Sequence, residues 1–316
     1  MQMKARRILA AALVSVLAMG AASCASDDLG DDGNGSSGGG DKGKVVLSGQ
    51  AFDEAALVAS MYQLLLEKEG YSVEQKLVES RDQYLGELEK GNVQIAPEYT
   101  GGILDLLNTN ANGANAEPIT TSDAAESISA GKQLLDDAGI TLLDPSAATD
   151  TNAFFVTQKY ADDNGVTKLS DLEGKSVVLA AAPDCKGRPD CEGGLTTVYG
   201  IKVTKILPLG FGGAQTKNSV KDGESQLGLT ATTDGTLAAD GLVLLEDDKA
   251  IQPAQNLVPA VNTAWLKDHR DVREVLNELM ATLDTRTLAE LNTRVTVDRE
   301  KPEDVARDYL EQNALL

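Results

Sequence analysis

Histidine is all but missing from this chain: His269 is the single one in 316 residues. A Ser-His-Asp arrangement would have to use it. It sits in WLKDHRDVRE at the start of a polar helical pattern, where it reads as a solvated surface side chain. No GxSxG elbow, Walker A loop or HExxH pair is present. Gly210-Phe211-Gly212-Gly213 is the nearest thing to a phosphate loop, and a strand-to-helix turn accounts for it. The acidic pairs Asp27-Asp28, Asp31-Asp32 and Asp247-Asp248 read as solvated charge rather than catalytic carboxylates. No nucleophile–base pair is visible, so the expectation is a protein that is not an enzyme, with no cofactor and no metal. Basic charge is also scarce, with 28 Lys and Arg against 49 Asp and Glu and a net charge of −21. That excludes nucleic acid as a partner, because phosphate binding needs a basic face. It is compatible with a cationic or zwitterionic ligand, although solubility through self-repulsion explains most of it.

Cysteine is limited to three residues. Cys185 and Cys191 lie six apart in DCKGRPDC, and outside the cytoplasm a close pair is most often a disulfide. The competing reading is a zinc site, which would want four ligands in a chain with one distant histidine. Cys24 belongs to a different context. Lys4, Arg6 and Arg7 precede the apolar run from Ile8 to Met19, which is short for a membrane span and flanked as a signal peptide is. Ala21-Ala22-Ser23-Cys24 then resembles the lipobox of bacterial lipoproteins. The resemblance implies a signal peptide over 1–23, cleavage before Cys24 and diacylation of its thiol. An ordinary secretory signal with an incidental cysteine is the alternative. Residues 24–43 then form a lipidated tether, nearly free of apolar residues and expected to be disordered. Its 19 residues after Cys24 reach roughly 22–26 Å on average.

From Lys44 onward, strand and helix patterns alternate, which predicts α/β architecture with largely parallel sheets. Strands are expected at Val45 to Leu47, Tyr71 to Val78, Val93 to Ala96, Phe154 to Thr157, Val177 to Ala180, Leu227 to Thr230 and Val243 to Leu245. Helices are expected from Asp53 to Gly70, Arg81 to Lys90, Ile103 to Leu107, Ser122 to Gly139, Leu195 to Tyr199 and Ala214 to Lys221. The last third is helical, with patterns over Arg270 to Leu283, Arg286 to Leu291 and Pro302 to Leu315. Two α/β halves with helices at the end fit a two-lobed binding protein. The chain would build lobe one over 44–149, lobe two over 150–254, and return to lobe one over 255–316. The first crossing falls near Ala147 to Asn152 and the return near Gln252 to Pro259.

Three turns follow strands and lead into helical or small-residue segments: Ser48 to Glu54, Glu98-Tyr99-Thr100-Gly101-Gly102, and Thr232-Thr233-Asp234-Gly235. Such turns offer backbone N–H groups and hydroxyls to a ligand at strand ends. Together with Leu244 to Lys249, Asp150-Thr151-Asn152-Ala153-Phe154 and Leu169-Ser170-Asp171-Leu172, they resemble the substrate-binding proteins of osmoprotectant ABC importers. The resemblance covers nearly all of 44–316. It implies a type II periplasmic-binding-protein fold, each lobe a sheet flanked by helices. It implies a monomer on the outer face of the bacterial cytoplasmic membrane, held there by its lipid anchor. It would deliver a quaternary-ammonium solute such as glycine betaine or choline to ABC permease transmembrane subunits.

A quaternary ammonium donates no strong hydrogen bond and is held by the faces of aromatic rings. Aromatics are only 4% of this chain. Many relatives carry cage tyrosines in the loop corresponding to Asp184 to Glu192 and near Ala153, and this chain has none there. Tyr99 is the main ring candidate, with Phe52 and Phe154 or Phe155 beside it. Gln50, Thr100, Asn152, Thr232, Thr233 and Asp234 are the candidate polar contacts. Arg188, positioned by a Cys185–Cys191 disulfide at the cleft mouth, would serve an anionic group on the ligand. Glu98 or Asp234 would add long-range attraction for a cation. The competing functions are a binding protein of the same fold for a different polar or aromatic solute, or a non-transporting sensor lipoprotein.

Overall fold

A computed structural model describes residues 42–113 and 116–316. The proposed signal peptide, Cys24 and the proposed tether up to residue 41 lie outside the described residues. Lys42 and Gly43 are described and are joined to the body: the Lys42 amide donates to Gly70 O, and its ammonium pairs with Glu69 and Asp271.

The first run of elements is β1 (Lys44–Gln50), α1 (Asp53–Lys68), β2 (Ser72–Val78), α2 (Arg81–Lys90), β3 (Ile95–Tyr99) and α3 (Thr100–Asn112). It continues through α4 (Ala124–Ala130), α5 (Lys132–Ala138) and β4 (Ile140–Leu142). A second run holds β5 (Asn152–Thr157), α6 (Gln158–Asn164), β6 (Ser176–Ala181), α7 (Glu192–Thr197) and β7 (Lys202–Pro208). It ends with α8 (Ala214–Lys221), β8 (Leu227–Ala231) and β9 (Leu242–Leu245). The chain closes with β10 (Leu257–Asn262), α9 (Thr263–Leu266), α10 (Asp271–Thr282), α11 (Thr285–Thr296) and α12 (Pro302–Gln312).

These strands make two five-stranded sheets, ordered β2-β1-β3-β10-β4 and β7-β6-β8-β5-β9. Each is the sheet of one lobe. The expectation of largely parallel sheets needs correction. In each sheet two pairings are parallel and two antiparallel. The antiparallel ones all involve β5 or β10. These are the strands that enter a lobe from a crossing, so no βαβ connection dictates their direction. The two crossings pair with each other: Asp150 N donates to Gln255 O (3.0 Å) and Leu257 N to Ala148 O (3.0 Å).

β10 escaped the sequence reading because Pro259 interrupts its apolar run, and proline ordinarily demotes a strand. The register removes the conflict, since Pro259 lies opposite Pro97 of β3. Neither has an N–H to leave unpaired. β4 is three residues long, and β7 is an edge strand whose lysines break the apolar pattern. The helix expected from Ser122 to Gly139 is two helices. Asp123, not Ser122, caps the first by accepting from Glu126 N (2.8 Å). Gly131 separates them; a Cβ there would meet Leu104 Cδ2 at 2.4 Å, so this corner packs directly on α3.

α1 explains the helical C-terminal third. Leu57, Val58, Met61, Tyr62, Leu65 and Leu66 are buried around most of its circumference. A helix apolar on nearly all sides needs cover on all sides. The sheet supplies one face, and α10, α11 and α12 supply the rest through Leu276, Met280, Leu288, Val305 and Leu310. Lobe two has its own core, including Phe154, Leu179, Tyr199, Leu227 and Leu229. His269 is half-buried rather than solvated: its ring stacks on Trp265 at 4.1 Å and its Nδ1 bonds Trp265 O.

Candidate functional site

The C-terminal end of β1 leads through Ala51 and Phe52 into α1. Phe52 occupies the helix N-cap with extended backbone and no side-chain cap. The residue is 38% exposed, and its ring stacks on Tyr99 at 6.2 Å and 26°. Tyr99, the last residue of β3, donates its hydroxyl to Glu54 Oε1 (2.5 Å). Asn292 of α11 donates Nδ2 to Glu54 Oε2 (2.5 Å). From lobe two, Thr233 donates its hydroxyl to Asp150 Oδ1 (3.0 Å).

All of these but Tyr99 line an interlobe cavity of about 250 Å³: Phe52, Glu54, Asp150, Thr233 and Asn292. Asp53 and Asp234 line it too, and no lysine or arginine does. Burial pushes the Glu54 carboxyl above its ordinary value, against the hydrogen bonds from Tyr99, Asn292 and Thr233. Burial first and the Glu54 charge second raise Asp150 from 3.8 to about 7, with the Thr233 hydroxyl pulling the other way.

A second opening, about 520 Å³, is lined by Asp105 and Pro118 of lobe one, by Arg188, Pro189 and Asp190 of lobe two, and by 250–253 of the return crossing. Arg188 is already paired there: its Nη1 bonds Asp184 (2.7 Å), and its Nε and Nη2 bond the two oxygens of Asp190 (3.0 and 2.5 Å). The Cys185 and Cys191 sulfurs stand at bonding distance with Cα atoms 5.3 Å apart, closing the loop that carries Arg188. Asn152 Nδ2 also donates to Asp190 Oδ2 (2.9 Å).

The ligand residues expected from sequence therefore divide. Phe52, Thr233 and Asp234 line the smaller cavity, Tyr99 packs behind Phe52, Arg188 lines the larger, Asn152, Phe154 and Thr232 border a further opening of about 190 Å³, and Thr100 holds structure. Thr100 is fully buried; its hydroxyl donates to Ala254 O and accepts from Asn256 N, so it fastens α3 to the return crossing. The α3 amides expected to face a ligand are likewise engaged, Gly101 N by Ala254 O and Gly102 N by Gln255 Oε1. Thr232 bridges Thr149 O and Thr151 N. Phe154 is core, 1% exposed. Gln50 is half-buried at the end of β1, opposite Val78.

Two long-range acids are also corrected. Glu98 is buried and bound by Arg81 Nε (2.8 and 2.9 Å) and by the Tyr84 hydroxyl. Asp234 pairs with Lys217 (2.7 Å); against the cost of burial, bonds from Lys217, Thr230 and Thr236 hold its carboxyl below the ordinary range. Of the acids lining the cavity, Asp53, Glu54 and Asp150 have no basic partner among the described residues; sequence reasoning placed all three inside motifs without assigning them a ligand role. Asn292 carried no signal at all, because a polar residue on an amphipathic helix reads as solvent-facing.

Residues 43–312 match the family model described as the substrate binding domain of an ABC-type glycine betaine transport system. A glycine-betaine-binding protein of Pseudomonas aeruginosa is 28% identical over 281 residues, 85% of this chain and 88% of its own. The solved structure of apo YehZ from Escherichia coli has a TM-score of 0.72 at 26% identity, covering 86% of this chain and 99% of that one. A glycine betaine/carnitine/choline ABC transporter structure has a TM-score of 0.75 at 22% identity over 86% of this chain and 98% of that one, a likeness of fold.

Proposed function

The chain belongs to the family of substrate-binding domains of ABC-type glycine betaine transport systems, and from that premise we propose that it captures a small quaternary-ammonium cation between its lobes for an importer. As a member of that family it is a solute-binding protein of an ABC transporter rather than an enzyme. The observation that carries the choice of ligand is the smaller interlobe cavity. Glu54 and Asp150 stand there beside the stacked rings of Phe52 and Tyr99, and no basic side chain lines the space. Two carboxylates in a partly dehydrated pocket attract a cation, and the exposed ring face of Phe52 suits methylated nitrogen.

Calorimetry with choline, glycine betaine and carnitine tests this reading. Choline carries no carboxylate to oppose Glu54 and Asp150, so it is expected to bind tightest. Absence of heat with all three ligands refutes the quaternary-ammonium assignment. The larger cavity favours a second reading, in which Arg188 receives a ligand carboxylate after releasing Asp190. Arg188→Ala should then weaken glycine betaine and leave choline unchanged.

The address of the protein is part of the same proposal. Diacylation of Cys24 would hold it at the outer face of the cytoplasmic membrane, and the Cys185–Cys191 disulfide would form on export. Each buried CH₂ of an acyl chain contributes about 0.8 kcal/mol, so two or more chains anchor stably.

A further inference from the structure

Asp247 and Asp248 read from sequence as a solvated pair, but Asp247 is engaged on both of its oxygens. Oδ1 accepts from the Tyr199 hydroxyl and from Ile251 N (3.1 Å), and Oδ2 accepts from Gln252 N (3.0 Å). Tyr199 is fully buried in the core of lobe two, and its oxygen accepts in turn from Lys249 N (2.7 Å). The turn from 247 to 252 is thereby pinned to lobe two. Gln252 adds a second tie, from Nε2 to Asp190 O (2.8 Å) on the disulfide-closed loop. Two residues further on, the crossing is held by lobe one. Ala254 N donates to Thr121 O (2.7 Å), and Ala254 O accepts from Gly101 N (3.0 Å) and the Thr100 hydroxyl (2.9 Å). Pro253 lies between the two sets of bonds, with its φ fixed by its ring.

We propose that Asp247 is a positioning residue for solute capture: it fastens the return crossing to lobe two, so that rotation of the lobes in that crossing is confined to Pro253. Asp247 borders the opening of about 190 Å³ and neither of the other two cavities, so it acts through the crossing. A joint free over many residues samples many lobe angles, and capture must surrender nearly all of them. A joint of one residue with a preset φ surrenders little. The inference rests on the lobes closing around a solute, and it holds for whichever solute they take.

Calorimetry with choline, small-angle scattering of the ligand-free full chain and thermal melts test it. Asp247→Ala should broaden the ligand-free interlobe distances and weaken choline about tenfold, with the loss in the entropic part of binding. Asp247→Asn keeps one acceptor oxygen and should recover part of that affinity. Pro253→Gly loosens the same joint with Asp247 in place, so its loss should be similar, and the double variant should lose no more than either alone. Additive losses overturn the inference, as do unchanged affinity and scattering in both single variants. If melts show Asp247→Ala to be poorly folded, Asp247→Asn and Pro253→Gly carry the same comparison. Absence of heat with choline in the unaltered chain counts against the choice of solute and not against the joint. Ligand-free scattering then decides, and equal dimensions in all variants overturn the inference.

Discussion

Tyr99 performs two tasks with one side chain, and substitution separates them. Its ring stacks on Phe52, which lines the cavity, and its hydroxyl holds Glu54. Tyr99→Ala removes both and should weaken choline by roughly 0.5–2 kcal/mol, the range for a cation over a ring. Tyr99→Phe keeps the ring and frees one Glu54 oxygen, so calorimetry should find binding little changed. A denaturant melt of Tyr99→Phe should show a stability loss of about 0.5–1.5 kcal/mol.

Asp150 makes a prediction about pH. Its carboxyl sits near 7 in the fold against 3.8 ordinarily. Between those values the folded chain holds a proton that the unfolded chain has released, so stability falls as pH rises through the window. Glu54 and Tyr99 are the titratable groups with which Asp150 interacts, and Asp53 and the Asp234–Lys217 pair stand around the same cavity. The ligand-free melting temperature should therefore drop from pH 5 to pH 8, and Asp150→Asn should flatten the drop. Cation binding runs the other way, since it needs the ionised form. Choline affinity should fall about tenfold from pH 8 to pH 6. A pH-independent affinity would mean that Asp150 does not face the ligand.

Among elements, α11 departs furthest from its sequence reading. It covers α1, as an amphipathic helix should, and it also presses against the lobe-two turn at 233–236. Thr293 Oγ1 donates to Gly235 O (2.9 Å). A Cβ on Gly235 would meet Thr293 Oγ1 at 2.1 Å and Ala289 O at 2.5 Å. Gly235→Ala must push the turn off the helix, with an expected cost of about 1–3 kcal/mol in a denaturant melt and a parallel loss of cation affinity. Wild-type stability in this variant would show that the contact is dispensable.

The boundaries of α2 and α8 follow from Gly91 and from the glycines before Ala214, local signals that need no tertiary context. α11 was legible as a helix but not as a wall of the site. Its inward Asn292 matters only because the chain has returned from lobe two, and no periodicity encodes that. Thr100 and Thr232 misled for the opposite reason. A hydroxyl after a strand looks the same whether it faces solute or the adjoining backbone.

At the scale of the molecule, the surplus of 21 negative charges has a local counterpart in Asp53, Glu54 and Asp150, the carboxylates of the small cavity without a basic partner among the described residues. Long-range attraction of a cation toward this surface should weaken as salt shortens the screening length. The anchor is testable at the same scale. Intact-mass analysis of exported protein should show an acylated chain beginning at Cys24 and no free thiol at Cys185 or Cys191. Cys24→Ser should move the protein from the membrane to the soluble fraction, and equal membrane retention would remove the anchor.

The interior position of β10 between β3 and β4 carries a consequence for biogenesis. Everything that forms the second sheet, from Asn152 to Leu245, emerges from the ribosome or the translocation pore before Leu257–Asn262 does. The lobe begun first is therefore completed last. Until then the inner edge of β3 lacks its neighbour, and α1 lacks the helices that cover it. An unpaired strand edge beside exposed apolar surface invites association with other chains. The interval between synthesis of residues 99 and 257 is thus the period in which this protein most needs a chaperone.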